Sequence, residues 1–324
     1  MTSYSKHDLS PNEKRWAICI FASRETLHTL LLTIDAALLA TVNSTLIHVI
    51  VNGNNGLANE LIGSLYTLKQ AHTDCRLRVW TIQVGDKANA WNQYFHTIWS
   101  GEQLVFFTDG YVRLHPTAIN LLGNAVISNN FVLGGSGIPS EGRSAMKQAA
   151  LMNKYGGFHG NLCCIKGSVI EEFRLRKFFI PLGMYRTDSL IGAVLSFGLD
   201  PNNDWRPDRI HIQPDATWSI DPKHWWKLDE IKASIKRRIR QARGLLENQA
   251  VKDHFENMKR LPEALPKTSS QLINNWMNRH PFKARILMCR SPLTILVTRA
   301  LRQPAQYTDT NLTPQLASPH HDEV

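Results

Sequence analysis

The chain has 324 residues, 43% of them hydrophobic and 20% charged. That is enough for a full globular core and excludes a highly charged, core-less disordered chain. The net charge of +10 is concentrated in one part: Trp205 to Pro304 carries 20 Lys+Arg against 9 Asp+Glu, and the remainder carries 17 against 18. A basic segment on a near-neutral body implies an anionic partner: phosphates, nucleic acid or an acidic membrane surface.

Five cysteines, with no CxxC pair, offer neither a zinc site nor a disulfide framework. Cys163 and Cys164 read as buried thiols, which suggests a reducing compartment. The polar start, MTSYSKHDLSPNEKRW, lacks the apolar core of a signal peptide, and no run is long enough to span a bilayer. The expectation is a cytoplasmic protein, free or at the inner face of the membrane.

In chain order, residues 16–22 (WAICIFA) read as a strand, 26–40 as a helix and 47–51 as a second strand. A helix over 57–71, a strand over 77–84, a helix over 88–99 and a strand over 104–108 follow. Strands alternating with helices of about a dozen residues indicate βαβ units and a mostly parallel sheet. Further on come a helix over 117–128, a strand over 131–135, a polar Gly-rich loop over 136–143, and Gly156-Gly157-Phe158-His159-Gly160 before a short strand over 161–165. Residues 189–197 read as a helix and 200–222 as loop. Residues 228–246 read as an amphipathic helix with Lys232, Lys236, Arg237, Arg240 and Arg243 on its polar face. A linker over 262–270, a helix over 291–301 and a disordered tail over 303–324 complete the chain. The expected division is 1–222, 223–302 and 303–324.

The apolar run Leu-Val-Phe-Phe at 104–107 ends on Thr108-Asp109-Gly110. In open α/β sheets ligands bind beyond the carboxyl ends of strands, so Asp109 stands where a carboxylate can hold a metal, a sugar hydroxyl or a ribose. It could equally end the strand and cap the helix that follows.

Four pieces, in this order, resemble the inverting family 2 glycosyltransferases of GT-A fold. They are the strand-Ser23-Arg24-Glu25-helix opening, Gly85-Asp86-Lys87-Ala88-Asn89-Ala90-Trp91-Asn92, FFTDGYVRLHP in place of the DxD strand, and TDSLIGAVLSFGL in place of the ED helix. The resemblance covers about Trp16 to Leu199. It implies an α/β, GT-A-type, Rossmann-like sheet flanked by helices, with a basic helical C-terminal extension. The activity implied is transfer of a sugar from a nucleotide-sugar donor, with inversion, to a hydroxyl of a glycan, lipid-linked saccharide or protein, as in polysaccharide biosynthesis. By the resemblance Asp188 is the catalytic base, and Glu25, Asn52, Lys87, Asn89, Asp109 and Tyr111 bind the donor. His159, Arg240 and Arg243 would meet the acceptor or diphosphate.

This sequence departs from the family's pattern in three places. The DxD reads Asp109-Gly110-Tyr111, the aspartate after the second strand is Asn52, and the ED pair is Thr187-Asp188. A divalent metal (Mn²⁺ or Mg²⁺) would rest on Asp109, with His159 or His211 as a further ligand; one carboxylate in place of two weakens such a site, and Arg and Lys could instead replace the metal's charge. The alternatives are a GT-A-like binding module without catalysis, and a basic protein that binds anionic membrane or nucleic acid. Nucleic acid is not expected as a partner, because no reading motif for it is present. Trp225 and Trp226, beside Lys223 and Lys227, suit a sugar platform or a membrane interface.

Overall fold

The computed structural model describes residues 16–41, 45–71, 76–141, 145–221, 228–301 and 307–317. Trp225, Trp226 and the 222/223 boundary lie outside them. The N-terminal half alternates β1 (Trp16–Ala22), α1 (Leu27–Ala40), β2 (Leu46–Asn52), α2 (Asn55–Ala71), β3 (Arg76–Ile82), α3 (Lys87–Gln93) and β4 (Leu104–Asp109). It continues through β5 (Val112–Leu114), α4 (Ala118–Ile127), β6 (Gly134–Pro139), α5 (Ala145–Tyr155), β7 (Cys163–Lys166), α6 (Gly167–Leu175), α7 (Thr187–Ser196) and β8 (Ile210–Ile220). Then come α8 (Leu228–Lys252), α9 (Ser269–Arg279), α10 (Pro281–Arg290), α11 (Leu293–Ala300), the single turn α12 (Asp309–Leu312) and β9 (Gln315–Leu316).

All strands join one sheet in the order β5-β8-β6-β7-β4-β1-β2-β3-β9. The run β4-β1-β2-β3 is parallel, as the alternating pattern requires, and β7 runs antiparallel to both β4 and β6. Every residue of β1 is buried, because a parallel sheet is covered on both faces. The period of two divides β1 between two cores. Ala17, Cys19 and Phe21 face a cluster with Trp91 of α3, Ile191 of α7, Leu246 of α8 and Trp276 of α9. Trp16, Ile18 and Ile20 face Leu30 and Ile34 of α1, Leu61 of α2 and Leu122 of α4. The C-terminal helices therefore share the core of the sheet.

Register places the functional turns. Phe21 pairs with Asp109, Ala22 with Val51, and Asn52 with Ile82, so β1, β2, β3 and β4 end at one level. The turns that follow pack closely: Asn54 Nδ2 donates to the Ser23 carbonyl at 2.9 Å, and Gly53 N to the Ile82 carbonyl at 2.8 Å. Gly53 has φ +71°, and a Cβ there would stand 2.4 Å from Gly85 Cα. Only glycine fits that turn.

Several expectations are corrected. Residues 136–139 of the stretch read as loop belong to β6, and β8 occupies residues read as loop between 200 and 222. Helices α5, α9 and α10 were not anticipated from the sequence, and the expected linker carries the capping box of α9, Thr268 with Gln271. The tail expected to be disordered is ordered over 307–317. There β9 pairs antiparallel with the edge strand β3, Trp80 with Leu316 and Thr81 with Gln315.

Candidate functional site

The site forms where β4, α3, the Gly-rich stretch at 156–160 and the start of α7 converge. Asp86 caps α3: its Oδ1 accepts from Ala88 N at 2.9 Å and Asn89 N at 3.4 Å. The cap makes Lys87 the first helical residue and brings its ammonium onto Asp109, where Nζ and Oδ1 form an ion pair. Tyr111 donates its hydroxyl to the other oxygen, Asp109 Oδ2, at 2.9 Å, and lies 3.4 Å from Asn161 Oδ1. Burial alone would lower the pKa of Lys87; the charge of Asp109, its hydrogen bond and the charge of Asp188 outweigh it, so the pKa is raised. The Tyr111 hydroxyl is pushed up by the Asp109 charge and by burial.

Asp188 enters from the first turn of α7 and accepts a hydrogen bond from Gly160 N at 3.3 Å. A Cβ on Gly160 would stand 3.5 Å from Lys87 Nζ and 3.6 Å from Asp188 Oδ2. Lys87 thus sits between the two aspartates, with the bare backbone of Gly160 against it.

His159 stacks on Trp218 of β8 with ring centroids 5.0 Å apart, and its Nδ1 accepts from Asn161 N at 3.2 Å. Its backbone nitrogen is held by Ser136 Oγ at 2.9 Å. Burial lowers its pKa, against the pull of Asp188 and Asp109, so the ring is held neutral with its remaining proton on Nε2.

The other expected residues serve differently. Glu25 Oε2 accepts from Ser23 N at 2.6 Å and Arg24 N at 2.8 Å, closing the β1 turn, while Thr26 caps α1. Asn52 is buried, and its amide is committed to the Ala22 carbonyl at 2.9 Å. Asn89 is also buried and donates to the Leu312 carbonyl at 2.8 Å, so it anchors the C-terminal segment rather than lining the cleft. Arg243 donates Nε to Glu247 at 3.0 Å, and Arg240 lies about one turn earlier on α8, half-buried.

His211 is corrected as a metal ligand. It pairs opposite Gly135 in the middle of the sheet, in the row of Cys164 and Phe106, and so lies well short of the strand end at Asp109. Among the described residues no group of three His, Cys, Asp or Glu could hold a metal ion. Both oxygens of Asp109 are engaged, one by an ammonium and one by a hydroxyl. This donor set does not fit a divalent cation.

Two residues that matter here were not singled out in the sequence. Glu247, with a fully buried carboxylate, accepts from the backbone nitrogens of Tyr185 and Arg186, from Ser269 Oγ and from Arg243. Asp86 uses Oδ2 to accept from Gly183 N at 2.7 Å and the Tyr307 hydroxyl at 3.0 Å. Together they fix the 183–186 segment that leads to Asp188. The readable signals were the i,i+4 spacing of Arg243 and Glu247 and the Gly85-Asp86-Lys87 turn.

No family model matches the sequence, and no curated protein does. Solved structures do match. A mannosyltransferase from Pyrobaculum calidifontis, in complex with GDP-Man and Mn²⁺, superposes with a TM-score of 0.56 at 16% identity, covering 90% of this chain and 86% of its own. Residues 1–349 of TarS from S. aureus match with a TM-score of 0.49 at 9% identity, covering 82% and 71%. The glucosyl-3-phosphoglycerate synthase of Mycobacterium tuberculosis gives 0.44 at 14% identity, covering 71% and 78%. The likeness to the first of these over nine-tenths of the chain, with the parallel β4-β1-β2-β3 run and its helices, identifies the architecture: this chain has the GT-A glycosyltransferase fold.

Proposed function

We propose that this protein transfers a sugar from a nucleotide-sugar donor to a hydroxyl acceptor, with inversion at the anomeric carbon. The observation that carries the reading is the convergence of Asp109, Lys87 and Asp188 around Gly160, at the carboxyl ends of the parallel strands. In the reaction the acceptor oxygen attacks the anomeric carbon as the bond from that carbon to the diphosphate oxygen breaks. The nucleoside diphosphate leaves with the electron pair, and Asp188 takes the acceptor's proton.

Negative charge grows on the leaving diphosphate, and a fixed cation stabilises it most in a water-poor site. Lys87 supplies that cation. Asp109, itself held by the Tyr111 hydroxyl, keeps that side chain in place before the donor arrives, so little reorganisation is left for the reaction. His159, neutral and stacked on Trp218, presents Nε2–H as a donor to a sugar hydroxyl. The acceptor is a glycan, a lipid-linked saccharide or a protein.

A binding module without catalysis is the second reading, and the single carboxylate of Asp109-Gly110-Tyr111 favours it. The test is calorimetry with UDP, GDP, CDP and TDP, followed by hydrolysis and transfer assays with the sugar nucleotides of whichever diphosphate binds. Selective diphosphate binding, with turnover lost in Asp188→Asn and binding retained, supports transfer. Binding without turnover in the wild type supports the module, and absence of binding removes both readings.

A further inference from the structure

We propose that the α10–α11 hairpin is a docking surface for an anionic lipid bilayer. α10 buries only Ala284 against the body, and Phe282 is 73% exposed. Phe282 and Ile286 are four residues apart and share one helix face. On α11, Thr294 and Val297 face inward, while Leu293, Ile295 and Leu296 are exposed. Five large apolar side chains are thus presented by two consecutive helices that pack against each other. A solvated helix pair normally places polar residues there.

The charge along this part of the chain is of one sign. Between Ala264 and Thr308 the chain has Lys267, Arg279, Lys283, Arg285, Arg290, Arg299 and Arg302, and no Asp or Glu. Arg279 is spent on Asp253, together with His280. Lys283, Arg285, Arg290 and Arg299 are exposed and take part in none of the described ion pairs. Exposed apolar side chains interspersed on the same two helices with exposed cations complement an acidic headgroup layer over hydrocarbon. Another protein would need a matching acidic and apolar face, whereas a bilayer supplies both without shape matching. No helix among the described residues is long and apolar enough to cross a membrane, so the contact is superficial. Through α8, against which α11 packs, the hairpin is joined to the helix that carries Glu247 and hence to the segment before Asp188. Docking would present the site to acceptors at the bilayer surface.

The test is flotation of the full chain with vesicles of phosphatidylcholine alone and of phosphatidylcholine mixed with phosphatidylglycerol, at low and high salt. Binding is expected only with phosphatidylglycerol and is expected to weaken with salt. In Lys283→Glu/Arg285→Glu the partition coefficient should fall by roughly thirtyfold or more, from the loss of two surface cations. Phe282→Ser/Leu296→Ser should lose binding while keeping the wild-type circular dichroism and unfolding midpoint. Equal binding to both vesicle types, or binding unchanged in both variants, overturns the proposal. So does concentration-dependent self-association that Phe282→Ser/Leu296→Ser abolishes, which assigns the patch to a second copy of the chain. Nucleotide binding enters none of these readouts, so the surface and the transferase reading stand or fall separately.

Discussion

Glu247 of α8 accepts a hydrogen bond from the backbone nitrogen of Arg186 at 3.0 Å, two residues before Asp188. The carboxylate has no exposed surface and also takes Tyr185 N, Ser269 Oγ and Arg243 Nε. A buried charge satisfied by four donors fixes the loop it holds, because no water can replace a lost partner.

Glu247→Ala should therefore destabilise the fold by about 3–5 kcal/mol, the range for breaking a buried charge pair. Glu247→Gln should cost about 1–3 kcal/mol, since its amide group faces backbone donors. In the Gln variant turnover should fall more than nucleotide affinity, because the disturbed segment leads to Asp188. Urea unfolding, with kcat compared against the diphosphate Kd, checks both statements. An unfolding midpoint equal to wild type would show that the carboxylate does not tie the loop down.

Lys87→Ala removes the cation between the two aspartates. Diphosphate affinity should fall by roughly ten- to a hundredfold, the worth of one charge-assisted hydrogen bond. Wild-type affinity should respond little to Mn²⁺ or Mg²⁺, because Asp109 already has both oxygens engaged. Calorimetry with and without each metal decides it, and strict metal dependence in the wild type would oppose the role given to Lys87.

Acid should destabilise the protein well above the range where carboxylates titrate. Burial, aided by Arg78, lowers the pKa of His48 to about 3, and burial also lowers those of His96, His159 and His254. These rings stay neutral in the folded chain, whereas in the unfolded chain they protonate near 6.5. Their contribution is complete above pH ~6.5 and is lost as pH falls toward the folded values, at up to ~1.4 kcal/mol per pH unit for each ring. The raised pKa of Lys87 acts elsewhere: its contribution is intact below the unfolded value of ~10.4 and is lost only as pH rises through the folded one. Urea midpoints should decline from about pH 6.5 to about pH 5. A flat profile there would mean that these rings are not held neutral.

The C-terminal segment is tied to the site by a few removable contacts: Tyr307 to Asp86, Asn89 to the Leu312 carbonyl, and Val84 N to the Asn311 carbonyl at 3.2 Å. Tyr307→Phe deletes one bond to a carboxylate. Amide exchange over 307–317 should accelerate by roughly tenfold or more, with β1 and β4 unaffected. Exchange mass spectrometry reads this directly, and equal protection in the variant would show that the hydroxyl does not hold the segment.

The parallel core was legible because its strands are continuous apolar runs; Asp109 was flagged by its place at a strand end, while Lys87 and Asp188 were named only through the family resemblance. β6 was legible only in part. Its first two residues fall in the strand expected over 131–135, but SGIP reads as loop, yet a Cβ on Gly134 would stand 2.5 Å from the Cys164 carbonyl oxygen and one on Gly137 2.3 Å from that of Ala216. Glycine is there because neighbouring strands approach too closely for a side chain. β8 hid for a related reason: Pro214 and Asp215 sit where its register with β6 shifts between Gly137 and Ile138. Glu247 was missed because its donors come from the 185–186 loop and from Ser269. Asn89 has its partner 223 residues away. Local spacing carries neither relationship.

The pairing of β9 with β3 has a consequence for solubility. β3 would otherwise end the sheet with a row of open backbone groups, a template on which another chain can add a strand. β9 covers Trp80 and Thr81, and Ala317 N extends the cover to the Val79 carbonyl at 2.8 Å. Arg78, exposed near the start of β3, adds a charge that disfavours pairing by a second chain. A chain shortened before Thr308 would keep its core and its cluster of Asp109, Lys87 and Asp188 but expose that edge. Its failure should appear first as aggregation on storage rather than as unfolding.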